Sequence, residues 1–250
     1  RVYGDSCGIP ITEESPRLLD SVQDEAYLAT DEYGLTKARQ ENLLFSAKKK
    51  NWTIIRPAIT YSHDRFQLGT MEAADFIYRA LNGKTVIFPR EMLDRQATLS
   101  WAGDVGKMIA RLVGKPDAMG QAYTVSTSEH HSWAEILKCY QKLLGMKVQL
   151  IDLSVYEQVV GGPYQIKYDR MLHRVVDNRK ILTAVGMTQG ELMPLEKGLK
   201  LELESFQKAP VFGKIDPGRQ KRMDDVVNHT GWEGRKRVLV VKSTIKNWIK

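Results

Sequence analysis

Tyr33-Gly34-Leu35-Thr36-Lys37 places a phenol and an ammonium four residues apart. On a helix that spacing puts both side chains on one face, a single turn from each other. A cation beside a phenol stabilises the phenolate, so the pair is equipped to take a proton from an alcohol or return one to a carbonyl. The alternative is a surface tyrosine lying along a lysine stem. Other reactive side chains carry less. Cys7 and Cys139 are too few for a disulfide framework, lack metal-ligand spacing, and suit a reducing compartment as small buried side chains. His130-His131 has no third ligand at useful spacing, and His63, His173 and His229 stand alone, which argues against a metal.

The helix that must carry the pair is expected over 31–50, followed by a buried parallel strand over 52–61, whose start (WTII) is β-branched and apolar. A helix over 72–81 is ended by Asn82-Gly83, and short strands follow at 85–89 and 97–101. A helix over 104–113 closes at Gly114-Lys115-Pro116, before a strand at 121–127. Ser132 caps an amphipathic helix over 132–144, and 147–153 is a further strand. Beyond Val155 the pattern is mainly helical, with a helix over 179–185 capped by Asn178 and another reaching about Phe206 with Pro194 in its first turn. Strands alternating with helices indicate α/β. Phe76, Trp101, Trp133 and Tyr140 fall at core spacing.

With 250 residues, 42% of them apolar and 27% charged, the chain can bury a sizeable core as one large domain or two small ones. No apolar run approaches the roughly eighteen residues of a membrane span, and the opening residues lack a signal-peptide shape, so a cytoplasmic protein with no membrane partner is expected. The net charge of +7 permits an anionic ligand or nucleic acid. Its local runs, Lys48-Lys49-Lys50 and the tail from Arg235 to Lys250, read as solvated faces. No RNA-binding motif or aromatic-basic platform is visible, so nucleic acid is not the expected partner.

The surroundings of Tyr33 resemble the extended short-chain dehydrogenase/reductase family of nucleotide-sugar epimerases, dehydratases and reductases. Val2-Tyr3-Gly4, Pro10-Ile11-Thr12-Glu13, Ser15-Pro16, Tyr33-Gly34-Leu35-Thr36-Lys37-Ala38 and Glu41 follow the family's segment "VYG…P.TE..P…YG.SK…E" in order. Ile54-Ile55-Arg56-Pro57-Ala58 is similar to its next strand with an Arg-Pro end, and Ser100 to Val105 to its later strand-to-helix step ending in Asp-Val. Gly120 to Val125 is similar to its "G..YNV" strand, and the resemblance extends loosely to about Phe206. It implies the C-terminal part of a doubly wound, Rossmann-like parallel sheet plus a mainly helical substrate-binding part. It also implies NAD or NADP as cofactor, a nucleotide-sugar substrate, and a homodimer as one assembly open to the chain. Tyr33 becomes the acid/base, and Lys37 the residue that holds the nicotinamide ribose. Arg56 and Pro57 would lie by the nicotinamide at a strand's C-terminal end, although a carboxylate partner for Arg56 remains an equal reading. Arg65, Arg90 and Arg95 are candidates for a substrate diphosphate, each with a solvated alternative.

The implied organisation is a second half of the nucleotide-binding sheet over 1–61, a substrate-binding insertion over 62–96, a return to the sheet over 97–127, a C-terminal substrate part over 128–208, and a basic tail over 209–250. Two departures stand out. No GxGxxG or GxxGxxG occurs in the 250 residues, and only Arg1 precedes Val2, where the family places a catalytic Ser or Thr. The chain is therefore expected to start about halfway through such an enzyme, to leave the strand after Trp52 with an open edge, and to hold at most the nicotinamide end of a cofactor. Ala97 stands where the family often carries a diphosphate-binding arginine, and Arg1 where its dehydratases carry a glutamate, which favours epimerase or reductase chemistry over loss of water. A family-derived binding protein without catalysis, for RNA among other ligands, is the competing expectation.

Overall fold

A computed structural model describes residues 2–4 and 10–230; Cys7 and the tail beyond Thr230 lie outside the described residues. Two short helices, α1 (Leu18–Ser21) and α2 (Glu25–Leu28), lead into α3 (Tyr33–Ser46), then β1 (Thr53–Ile55), β2 (Ile59–Tyr61), β3 (Gln67–Leu68), β4 (Met71–Glu72) and α4 (Ala73–Leu81). Next come β5 (Val86–Pro89), β6 (Gln96–Ala97), β7 (Leu99–Trp101), α5 (Ala102–Leu112), β8 (Gln121–Tyr123), β9 (His131–Ser132) and α6 (Trp133–Leu144). The chain continues through β10 (Val148–Ile151), α7 (Leu153–Val160), α8 (Pro163–Gln165), a π-helical turn at Ile166–Arg170, α9 (Arg179–Val185), α10 (Leu195–Lys208) and α11 (Pro217–Thr230).

Three parallel pairs organise the strands: β1 with β8, β2 with β7 and β5 with β10. Two short antiparallel pairs, β3 with β4 and β6 with β9, sit beside them. The single strand expected over 52–61 is thus two, with different partners. Arg56 N still donates to Tyr123 O, but Pro57 has no N–H to continue the ladder, so the chain leaves β8 there and joins β7 two residues later at Ile59. The strand expected over 97–101 is likewise divided at Thr98, whose hydroxyl donates to Arg174 O. Among the described residues β1 pairs with β8 alone, and both Thr53 and Ile55 are exposed.

The largest core cluster includes Phe76, Phe88, Trp133, Tyr140, Tyr156, Leu199 and Phe206, with Trp101 partly buried against it. A second cluster, from Val105 and Met108 to Tyr123, Ile181 and Leu182, joins α5, β8 and α9. A third, of Leu18, Tyr27, Leu35 and Tyr168, lies beneath α3. The capping expected at Ser132 is present, reciprocated by Glu135. Asn178 does stand before α9, but its side chain donates to Ser126 O and Gln189 Oε1, and Asp177 Oδ1 accepts from Arg179 N in its place. Pro194 sits one position before α10 rather than in its first turn.

Residues 217–230, read from sequence as part of a tail, form α11 because its Met223 and Val226 enter the main core. Buried Arg79 of α4 meets them with hydrogen bonds to Gln220 Oε1 (3.0 Å) and Asp224 Oδ1 (2.7 Å), and Arg219 pairs with Asp75. No described helix is long and apolar enough to cross a membrane.

Tyr61, at the end of β2, is fully buried and its hydroxyl makes no hydrogen bond to protein. Burial, then the negative fields of Glu129, Asp104 and Glu202, hold its phenol far above the ordinary range. A Cβ on Gly198 of α10 would meet that oxygen at 2.0 Å and Met193 Cγ at 2.9 Å. Gly198→Ala should therefore cost about 1–3 kcal/mol through overpacking. Tyr61→Phe, which removes a buried unpaired hydroxyl, should be close to neutral. The double variant should recover part of the loss; urea unfolding midpoints of the three variants that add independently would refute the contact.

Candidate active site

The face of α3 that carries Tyr33 is set by what the opposite face buries. Gly34, Leu35, Ala38 and Glu41 turn inward, and Tyr33 and Lys37 stand exposed on the other side. Lys37 Nζ lies 5.6 Å from the centre of the Tyr33 ring and donates to Gln40 Oε1 at 3.1 Å. The four-residue spacing thus produces a neighbouring phenol and ammonium. At the helix start, Glu32 accepts from Gly34 N (2.7 Å) and from Tyr27 Oη (3.2 Å), an N-cap that fixes the turn on which Tyr33 sits. Tyr27 in turn stacks on Tyr168 of the π-helical turn at 4.2 Å. Asp24 accepts from Tyr168 Oη and Lys167 Nζ, and these bonds hold its carboxyl well below the usual range. Residues 164–168 thereby steady the approach to α3.

Behind the exposed pair lies an ion pair. Arg56, one residue beyond β1, grips Glu41 with Nε on Oε1 and Nη2 on Oε2, both at 2.8 Å. Its Nη1 donates to Glu13 O (3.1 Å) and Tyr3 Oη (3.3 Å), and the Tyr3 ring lies 5.1 Å from the guanidinium. All three guanidinium nitrogens donate to protein oxygens. Burial is the largest single influence and opposes the charge, but the hydrogen bonds and fields of Glu41 and Tyr3 together outweigh it and hold Arg56 above the usual arginine range. Burial also pushes the Tyr3 phenol up, against the pull of Arg56. Of the two readings open for Arg56, the geometry is that of the carboxylate partner. Pro57 beside it is exposed.

The three other arginines are not brought to α3 by any contact in the structure. Exposed Arg65 pairs with Glu72 at 3.6 Å. Arg90 donates to Asp152 Oδ1 and Leu150 O, both at 2.8 Å. Arg95 is a third exposed and lies against His173. Sequence reasoning passed over Glu41 as an anchor, although a carboxylate on the face shared with Leu35 and Ala38 was the available signal. It also passed over Tyr27 and Tyr168, for which spacing offered none.

No protein-family model matches the chain, and no curated protein matches it. Solved structures do. A dTDP-glucose 4,6-dehydratase from Bacillus anthracis in complex with NAD is 18% identical with a TM-score of 0.60, over 83% of this chain and 59% of its own. An NAD-dependent NDP-hexosamine 5,6-dehydratase of tunicamycin biosynthesis is 16% identical with a TM-score of 0.57, over 84% and 61%. A UDP-glucuronic acid 4-epimerase from Bacillus cereus, in complex with UDP-glucuronic acid and NAD, is 17% identical with a TM-score of 0.56, over 83% and 59%. The chain therefore has the α/β, Rossmann-like fold of the extended short-chain dehydrogenase/reductases. It spans about three fifths of the length of these enzymes.

Truncating one member of a buried ion pair leaves the other charged and unpaired, at a cost of about 3–5 kcal/mol. Arg56→Ala should lose about that much stability by chemical denaturation, and Arg56→Lys should recover only part of it because an ammonium cannot make the forked contact. Wild-type stability in Arg56→Ala would show that α3 is held by something else.

Proposed function

We propose that the protein is an NAD(P)-dependent epimerase or reductase of nucleotide sugars working in the cytoplasm, with Tyr33 as its acid/base and Lys37 as the residue that holds the nicotinamide ribose. The observation that carries the reading is the exposed Tyr33–Lys37 pair on a helix whose other face is clamped by Glu41 and Arg56. Solved enzymes with this fold include a UDP-sugar epimerase and sugar-nucleotide dehydratases, with NAD named in each.

The residues present fit the nicotinamide ribose end of a dinucleotide. Lys37 supplies an exposed ammonium for ribose hydroxyls, and Tyr33 an exposed phenol beside it. The sequence holds no glycine-rich turn for a pyrophosphate, so the fit extends to that end alone. The cofactor, when bound, accepts a hydride from a sugar carbinol carbon or returns one to a ketone. The protein's part is the proton: Tyr33 Oη takes it from the sugar hydroxyl as the hydride leaves and gives it back to the carbonyl oxygen in the reverse direction. Lys37, whose ammonium lies 5.6 Å from the centre of the Tyr33 ring, positions the ribose beside that phenol. Arg56 acts at one remove, by holding the helix.

Tyr33→Phe in the protein at its native length should lower turnover of UDP- or dTDP-sugars by about a hundredfold or more, with cofactor affinity nearly unchanged. Lys37→Met should weaken both. Turnover of Tyr33→Phe within about tenfold of the parent, read by product chromatography, would remove Tyr33 from the mechanism.

A further inference from the structure

Two helices end and two strands begin at one end of the sheet. α3 leads into β1 and α5 leads, through a tight turn at Pro116–Ala118, into β8, and the two strands run parallel with Thr53 opposite Gln121. Contacts draw the connections together. Gly120 N donates to Trp52 O at 2.7 Å, Thr53 Oγ1 donates to Ala118 O at 2.8 Å, and the Phe45 ring meets Trp52 edge-on at 5.6 Å. Open α/β sheets bind small ligands at the carboxyl ends of their strands, and this is the amino end. Tyr33 starts α3, a helix of 14 residues, so it stands about 20 Å away along that helix.

Apolar and cationic side chains share this end, and the fold leaves both in water. Leu43 is 72% exposed, Phe45 42%, Val113 76% and Met119 53%, four of the nine large apolar side chains that stand exposed among the described residues. Lys48, Lys49 and Lys115 are exposed and make no ion pair among the described residues. Lys50 donates to Phe45 O at 2.5 Å and so meets the negative end of α3. Lys48 and Lys49 are left without that role. Over 43–52 and 113–120 four lysines face a single acid, Asp117.

We infer that this end of the sheet is a docking surface for an anionic lipid bilayer. Val113 and Met119 lie on the turns that join α5 to β8, with Lys115 between them. Side chains of that kind enter the acyl boundary while ammonium groups stay at the lipid phosphates, the lysine stems lying along the apolar surface. An RNA would meet the lysines but leave Leu43, Val113 and Met119 in water, and stacking on bases needs free aromatic faces, whereas Phe45 and Trp52 pack on each other. A second copy related by a two-fold axis would set lysine against lysine. A bilayer that carries negative headgroups satisfies both kinds of side chain. Peripheral contact of this sort requires no spanning helix, the absence of which prompted the expectation of no membrane partner. Docked in this way, the protein keeps exposed Tyr33 away from the lipid.

The readout is vesicle binding, which does not depend on Tyr33 or on turnover. The protein at its native length should co-sediment with phosphatidylcholine vesicles that contain about a third phosphatidylserine, and stay in solution with phosphatidylcholine alone. Raising the salt from about 0.1 to 1 M should release most of it. Lys48→Gln, Lys49→Gln and Lys115→Gln together should weaken partitioning by about a hundredfold, at about fivefold for each lysine. Val113→Ser with Met119→Ser should weaken it by about tenfold at unchanged charge. Lys138→Gln, Lys197→Gln and Lys208→Gln, which remove exposed lysines of α6 and α10, should cost less than about fivefold in total. All these positions are exposed, so thermal unfolding should match the parent. The surface is overturned by failure to bind the anionic vesicles, by equal binding to neutral ones, by parental binding in the Lys48, Lys49 and Lys115 variant, or by an equal loss in the α6 and α10 variant. It is also overturned if those lysines retain a single-stranded RNA but no vesicle, or if Val113→Ser with Met119→Ser splits a dimer without changing vesicle binding.

Discussion

The bidentate contact between Arg56 and Glu41 is the interaction on which the candidate site rests. It joins the end of β1 to the middle of α3, and both partners are almost wholly buried. Two ions removed from water are tolerable only where geometry is good and the remaining donors are satisfied. Here Glu13 O and Tyr3 Oη complete Arg56, while Arg17 Nη1 reaches Glu41 Oε2 at 3.3 Å as a second cation on the same carboxylate. One helix rotation satisfies that set. Because Glu41 is two turns along from Tyr33, the same rotation determines which way the phenol and ammonium face.

Buried arginines perform similar work elsewhere. Arg79 ties α4 to α11 through Gln220 and Asp224. Arg170 donates to Gly69 O and to Asp169, which also accepts from Arg174, and the Arg170 guanidinium lies 5.7 Å from the Trp133 ring centre. Such pairs add little net stability over apolar packing, but a wrong register strands a charge, so they select one arrangement from several compact ones. The net charge of +7 therefore describes joints within the molecule as well as its surface.

The site is assembled from distant parts of the chain. Tyr27 and Glu32 hold the first turn of α3, and Tyr168, more than a hundred residues later, stacks against Tyr27. Residues 173–176 run beside the N-terminal segment, with Ile11 N donating to Val175 O and Arg174 reaching Gly4 O. The C-terminal half of the chain thus braces α3 instead of hanging from it.

Local physics made much of this legible. Four-residue spacing brought Tyr33 and Lys37 to one face, the Ser132 and Glu135 pair set the start of α6, and Asn82-Gly83 ended α4, because each depends on backbone geometry within a turn or two. The apolar pattern also placed Phe76, Trp133 and Tyr140 in the core. Tertiary structure decided what spacing cannot express. Which carboxylate Arg56 would meet, whether Pro57 would bend a strand or divide it between two partners, and whether residues 217–230 would dock were all settled by side chains far away in sequence. A charged or polar group takes its role from the partner that satisfies it after burial, and that partner is known only once the chain has folded.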